Sequence, residues 1–263
     1  EDSIGYAIEY LPCMPLNELF VHGQNQVQDW SIIFSEIKRW FSLASAQLSI
    51  NNKEIESEFE KLIDEKTFSR IEQYAKEQNI SLDTPCFYAG KELPTIREIC
   101  TECIDKVKQL ASIPGVLHGD LCFSNMLFDS RSLKLKAIDP RGLDVNQNFT
   151  IYGDLKYDYA KLAHSVIGLY DFIISGDFII HHRDTKDVSL HFDIDDRIKE
   201  IQQVFMESSF VAGILFKEIV PLVILLFLSM LPLHNDRPDR QEAMLLNGLR
   251  LYKFFKLNFG EDV

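Results

Sequence analysis

Two short polar stretches constrain this chain more than anything else in it. They are His118-Gly119-Asp120-Leu121-Cys122-Phe123-Ser124-Asn125 and Ala137-Ile138-Asp139-Pro140-Arg141. Between them, Met126-Leu127-Phe128 is apolar and strand-like, and Asp129-Ser130-Arg131-Ser132 supplies turn residues. Residues 133–138 then alternate Leu and Lys before an apolar end, the pattern of a half-buried strand. An antiparallel return of this kind brings Asp139 back beside Asn125. Asp120, Asn125 and Asp139 are thereby expected to face one pocket, where an amide oxygen and a carboxylate are hard ligands suited to magnesium. A carboxylate just outside the metal shell is placed to accept a proton from a substrate hydroxyl.

Written as H-G-D-x-x-x-x-N followed by I-D-P-R, the set resembles the aminoglycoside phosphotransferase and choline kinase family, which has the protein-kinase-like fold. The resemblance implies a catalytic Asp120 that accepts the acceptor's proton or orients its hydroxyl, and magnesium ligands at Asn125 and Asp139. It implies that Asp158, in the stretch of residues 152–162, braces the catalytic loop from the following helix. A helix-start acid favoured by the dipole is the plainer reading, and the better one for Asp154. His118 is expected to hold the loop by hydrogen bonding rather than to move protons. Arg141 suits either a phosphate, whose geometry a guanidinium matches, or a surface ion pair. Tyr6-Ala7-Ile8-Glu9-Tyr10-Leu11-Pro12 resembles a last small-lobe strand and hinge, which implies that backbone groups of Glu9, Tyr10 and Leu11 meet the adenine of ATP. I-D-P-R-G, together with residues 234–241, is also similar to family members linked to bacterial surface-polysaccharide synthesis.

Bulk properties exclude other classes. With 46% hydrophobic and 25% charged residues in 263, the chain is globular rather than disordered. Its net charge of −13, without a long basic run, argues against nucleic acid as the main partner. Five scattered Cys, with Cys100 and Cys103 alone in a C-x-x-C inside a helical pattern, read as buried free thiols in a reducing, cytoplasmic compartment. Residues 219–233 are strongly apolar but too short to span a membrane, and Pro221 and Pro232 interrupt them. His181, His182 and His191 read as a solvated hairpin, since no fourth ligand is spaced for a metal.

The remaining pattern is mostly helical. Ile4, Tyr6, Ile8 and Tyr10 alternate as a strand. Val27 through Ala44 recur at helical spacing with Asn25 and Gln28 as the expected cap. Ile55 to Tyr74 read as one continuing helix, residues 79–90 as a loop, and Thr95 with Glu98 as a capping box. Asp154 is expected to cap a helix reaching Ile173 and stopped by Gly176. Further helices are expected around residues 198–211, within 214–231, and from Asp239 toward Phe259, with a hairpin over 178–192. The fold class is therefore α+β, mostly helical, and the resemblance makes it a kinase-like large lobe. Residues 1–15 would be the remnant of the small-lobe sheet plus hinge, and 16–263 the helical lobe. No G-x-G-x-x-G and no small-lobe Lys occur, so the chain is expected to be a portion of a longer protein. The function implied is an ATP- and magnesium-dependent transfer of the γ-phosphate to a hydroxyl of a sugar, amino alcohol or related metabolite. The alternative is a pseudokinase-like binding module without turnover.

Overall fold

The computed structural model describes residues 9–46 and 52–260. In chain order the elements are β1 (Met14–Pro15), α1 (Leu16–Val21), α2 (Val27–Ser45), α3 (Asn52–Ile63), α4 (Glu65–Gln78), β2 (Pro85–Tyr88) and β3 (Lys91–Thr95). Next come α5 (Ile96–Lys108), β4 (Pro114–Val116), a 3-10 turn (Phe123–Asn125), β5 (Met126–Asp129), β6 (Lys134–Ala137) and β7 (Tyr152–Asp154). The chain continues through α6 (Leu155–Val166), α7 (Tyr170–Ser175), β8 (Ile179–His181), β9 (Ser189–His191), α8 (Asp196–Met206), α9 (Phe216–Ser229), a second 3-10 turn (Leu231–His234) and α10 (Pro238–Phe259). The class is α+β and mostly helical. The strands form small antiparallel sheets, β1-β5-β6 and the pairs β2-β3, β4-β7 and β8-β9.

The core follows from helical periodicity. α9 is apolar on every face and is buried at Ile219, Val220 and all of residues 222–228. A helix hydrophobic all round belongs at the centre, and α9 packs against α4, α5, α6 and α10. α2 buries Trp30, Ile33, Phe34, Ile37 and Phe41, one face of a 3.6-residue repeat. Its N-terminus is a capping box of Gln26 with Asp29, one residue later than the sequence pattern placed it, because the Asp29 carboxylate accepts the Gln26 N–H at 3.1 Å. α5 opens on the expected box, with Thr95 accepting from Glu98 N–H and Glu98 from Thr95 N–H. Among the described residues no helix is long and apolar enough to cross a membrane.

Several boundaries differ from the sequence expectation. The strand pattern of Ile4 to Ile8 lies outside the described residues, and residues 9–13 are irregular. The strand at this end is β1, two residues that pair with Phe128 and Leu127. The stripe read as one helix over Ile55 to Tyr74 breaks at Asp64, whose carboxylate is held by Lys108 of α5 at 2.6 Å. The expected loop over 79–90 contains β2, because Ala89 and Gly90 both adopt positive φ and turn a hairpin into β3. The helix expected to run to Ile173 stops after Val166. There Arg250 and Asn247 of α10 donate to the carbonyls of Ile167 and Gly168, and Leu169 turns left-handed at φ +55°.

A buried ion pair seats the start of α6. Lys156 Nζ lies 2.8 Å from Asp154 Oδ2 with both side chains at most 2% exposed, and it also donates to Ala111 O at 2.7 Å. Asp154 accepts the Ser112 hydroxyl and caps α6 through the Lys156 N–H. Removing one member of a buried pair strands the other without its counter-charge. Lys156→Met should therefore cost about 3–5 kcal/mol of unfolding free energy. In urea denaturation the double variant Asp154→Asn/Lys156→Met should recover part of that loss; a double variant as unstable as the sum of both singles would contradict the account.

Candidate active site

The loop at residues 118–125 is held from behind by one carboxylate. Asp158, fully buried in the first turn of α6, accepts the His118 N–H and the Gly119 N–H at 2.8 Å each, one on either oxygen. Gly119 sits at φ +79°, and a Cβ there would fall 2.9 Å from Arg141 Cβ, so the position demands glycine on both counts. The neutral imidazole of His118 uses both nitrogens: Nε2 donates to Ile138 O at 2.8 Å and Nδ1 accepts from Asp120 N at 3.3 Å. Burial lowers its pKa against the pull of the Ile138 carbonyl and of Asp120 and Asp139. The ring is thus a spacer in the loop. Phe123 anchors the far side, with its ring 5.2 Å from Phe20 and 5.4 Å from Trp30 and its N–H on Ser165 Oγ.

The hairpin then closes on the loop. β5 and β6 pair in register Met126 with Ala137, and Ile138 N–H continues the ladder to Asn125 O at 3.0 Å. Arg141 N–H donates to His118 O at 2.8 Å, and the Arg141 guanidinium donates to Gly119 O at 2.9 Å. Ile138 and Arg141 are thus both tied to the 118–125 loop, and Asp139 is carried between them. Asp139 is exposed and held at φ +56°. A non-glycine residue in the left-handed region costs of order 1 kcal/mol and needs support from its surroundings; here the ties on either side supply it. Asn125 Nδ2 donates to Asp120 O at 2.9 Å and to Asp120 Oδ2 at 3.1 Å. That fixes the carboxamide with its oxygen pointing away, and no donor among the described residues reaches it.

A further residue enters that the sequence motifs did not single out. Lys161 of α6 lies 2.9 Å from Asp120 Oδ1, with 16% of its side chain exposed. It is three residues beyond Asp158, hence on the same helix face, and that spacing was the available signal. Burial works to discharge Lys161, but Tyr157 and Asp120 outweigh it and hold its proton. In return, burial would raise the Asp120 carboxyl, yet Lys161 with Arg141 lowers it below the usual range. Asp120 is therefore a hydrogen-bonded carboxylate with its two oxygens on Lys161 and Asn125. The neighbouring Cys122 thiol is buried, 3.2 Å from Ser124 Oγ, and burial raises its pKa.

The other sequence candidates fall elsewhere. Glu9 pairs with Lys136 of β6 at 3.7 Å, Tyr10 is 84% exposed, and Leu11 is half-buried. Glu9 thus sits against the hairpin. The five thiols are free, with Cys100 and Cys103 buried in α5. Ring centroids of His181 and His191 lie 6.0 Å apart, and among the described residues no group of three or more His, Cys, Asp or Glu is arranged to hold a metal. Asn125 and Asp139 supply two oxygens, which suits a magnesium ion whose other ligands are water and phosphate. A cavity of about 370 Å³ is lined by Arg141, Tyr157, Tyr152, Phe59 and Leu117, together with Glu54 and Glu58. No protein-family model, curated protein or solved structure matches the chain.

The brace has a pH signature. Burial pushes the Asp158 carboxyl up to about 7, against the two N–H donors and Arg141, which favour its ionised form. The unfolded carboxyl titrates near 3.8. Between about pH 4 and 7 the folded chain holds a proton that the unfolded chain has lost, so this group's contribution to stability falls as pH rises through that window. The unfolding free energy of the wild type minus that of Asp158→Asn should accordingly decrease from pH 4 to 7, by at most about 1.4 kcal/mol per pH unit. A difference that is flat with pH in denaturant titrations would show that Asp158 is ionised throughout.

Proposed function

We propose that this chain carries the phosphoryl-transfer site of an ATP-dependent small-molecule phosphotransferase with a protein-kinase-like large lobe. The observation that carries the reading is the double tie of Ile138 and Arg141 to the 118–125 loop, which brings the Asp139 backbone to the end of the loop that bears Asp120 and Asn125. Asn125, through its free amide oxygen, and Asp139, whose carboxylate has no hydrogen-bond partner among the described residues, would hold magnesium. The ion would supply charge neutralisation for the nucleotide phosphates. In the transfer, the acceptor oxygen forms a bond to the γ-phosphorus. The bond from that phosphorus to the bridging oxygen breaks, and its electron pair leaves with ADP. The acceptor's proton passes to the Asp120 carboxylate. Because the Lys161 pair depresses the basicity of Asp120, its main contribution is orientation of the hydroxyl, with proton transfer late in the step. That division suits a loose transition state, in which positioning and electrostatics dominate.

The same Lys161–Asp120 contact favours the rival reading, a nucleotide-binding module without turnover, since it occupies the catalytic carboxylate. The two separate by kinetics. In the full-length protein, Asp120→Ala should lower kcat roughly 10²–10⁴-fold while changing ATP affinity little. Asp139→Asn should weaken magnesium-dependent nucleotide binding, read by calorimetry with and without magnesium. Saturable magnesium–ATP binding with no transfer to any hydroxyl in a panel of sugars and amino alcohols would establish the binding module instead. Nucleotide binding that ignores both magnesium and Asp139→Asn would remove the metal assignment.

A further inference from the structure

Although Asp and Glu number 40 against 27 Lys and Arg, several cations gather around Tyr157 with one carboxylate among them. Lys66 and Arg70, one turn apart on α4, face Tyr157 and Lys161, one turn apart on α6. Lys66, Tyr157 and Ser229 line one small cavity of about 20 Å³, and Arg70 Nη1 donates to the Ser229 carbonyl at 3.3 Å. The Arg141 guanidinium lies over the Tyr157 ring, 4.8 Å from its centroid. Of these four cations, Lys161 alone has a carboxylate at ion-pair distance among the described residues, namely Asp120. The Tyr157 hydroxyl has no hydrogen-bond partner among them either. Burial works to raise the Tyr157 pKa, but Lys161, Arg141 and Lys66 lower it below the ordinary phenol value. For Lys66, burial together with Arg141, Arg70 and Lys161 brings the ammonium down to about 8, with only Tyr157 opposing.

We propose that Lys66, Arg70 and Arg141, gathered with Lys161 around Tyr157, are the seat for an anionic group on the acceptor, so that the substrate is a hydroxyl compound bearing its own phosphate or carboxylate. This rests on the phosphotransferase reading for the word acceptor, but not for the anion site itself. Mutual repulsion among cations, three of them without a carboxylate, disfavours the arrangement unless an anion completes it. Guanidinium and ammonium donors together match phosphate or carboxylate oxygens. Arg141 and Tyr157 also line the 370 Å³ cavity, a size that suits a small metabolite, and Tyr157 separates it from the smaller cavity lined by Lys66. The larger cavity is lined by both signs of charge, Glu54, Glu58 and Asp144 together with Arg141. An acceptor would set its anionic end against Arg141 and Tyr157 and its hydroxyl toward the loop at Asp120. Magnesium and the nucleotide phosphates belong on the Asn125 and Asp139 side, so the two anionic ligands do not share ligating residues.

The test is equilibrium binding to the full-length protein, with inorganic phosphate and acetate as probes, by calorimetry or chemical-shift titration. Saturable binding of at least one of them is expected. Lys66→Met and Arg70→Met should each weaken it roughly 10-fold or more, the loss of one charged hydrogen bond, whereas Asp139→Asn should leave it unchanged. Affinity in the wild type should fall as pH rises through about 8, where Lys66 loses its proton. Lys66→Arg should keep the affinity and abolish that pH dependence, which a merely structural role for Lys66 would not do. The relative affinities of phosphate and acetate decide which anion the seat prefers. A nonhydrolysable ATP analogue with magnesium should leave probe binding intact. Competition between them would overturn the proposal by making the cluster the nucleotide's own phosphate site. Absence of saturable binding, or binding indifferent to both Met variants, would also overturn it. Anion binding that behaves as expected in a protein without transferase activity would keep the site and remove the phosphotransferase reading, so the two failures are distinguishable.

Discussion

The Asp158 carboxylate is the interaction on which the rest of the site depends. A loop that turns back at Gly119 and then dives into the core at Phe123 leaves backbone N–H groups facing inward, where water does not reach them. Asp158 satisfies two of these at 2.8 Å from a single buried side chain. It can do so because α6 begins directly behind the loop, fixed there by the Lys156–Asp154 pair and its bond to Ala111 O. With His118 and Gly119 held, the His118 ring and carbonyl in turn hold Ile138 and Arg141. The ordering thus passes from a buried helix start, through one carboxylate, to the 118–125 loop and the segment around Asp139.

Electrostatics adds a second layer. The chain is strongly acidic, yet the wall behind Asp120 is basic, with Lys161, Arg141, Lys66 and Arg70 grouped around one phenol. Charge of this sign next to Asp120 lowers the basicity of its carboxyl, and Lys161 and Asn125 hold the carboxylate in one orientation. The small sheets play a matching mechanical part. β4-β7 and β1-β5-β6 each clamp one end of the loop to a helix, while the apolar bulk of α9 supplies the body against which α4, α5, α6 and α10 rest.

Much of this was legible in the residues. The alternation of Leu and Lys after Asp129 specified the β5-β6 hairpin, because a period of two cannot be satisfied by a helix. The Thr95 and Glu98 pair specified where α5 starts, and the apolar run of residues 219–228 specified a buried helix. Two of the boundaries that differ carry contacts distant in sequence: the break between α3 and α4 falls at Asp64, which pairs with Lys108, and after α6 Arg250 and Asn247 donate to the Ile167 and Gly168 carbonyls.

For the site the division is similar. The sequence by itself determined the local hairpin that returns the Asp139 backbone to the loop holding Asp120 and Asn125. Only the tertiary structure decided what surrounds the Asp120 carboxylate. Lys161 arrives from a helix 41 positions downstream in the numbering, and Lys66 and Arg70 from one that precedes the loop. Local propensity is blind to such meetings, because the energy that brings them together is the burial of α9 and its neighbours, and the cations gather as a consequence of how those helices pack.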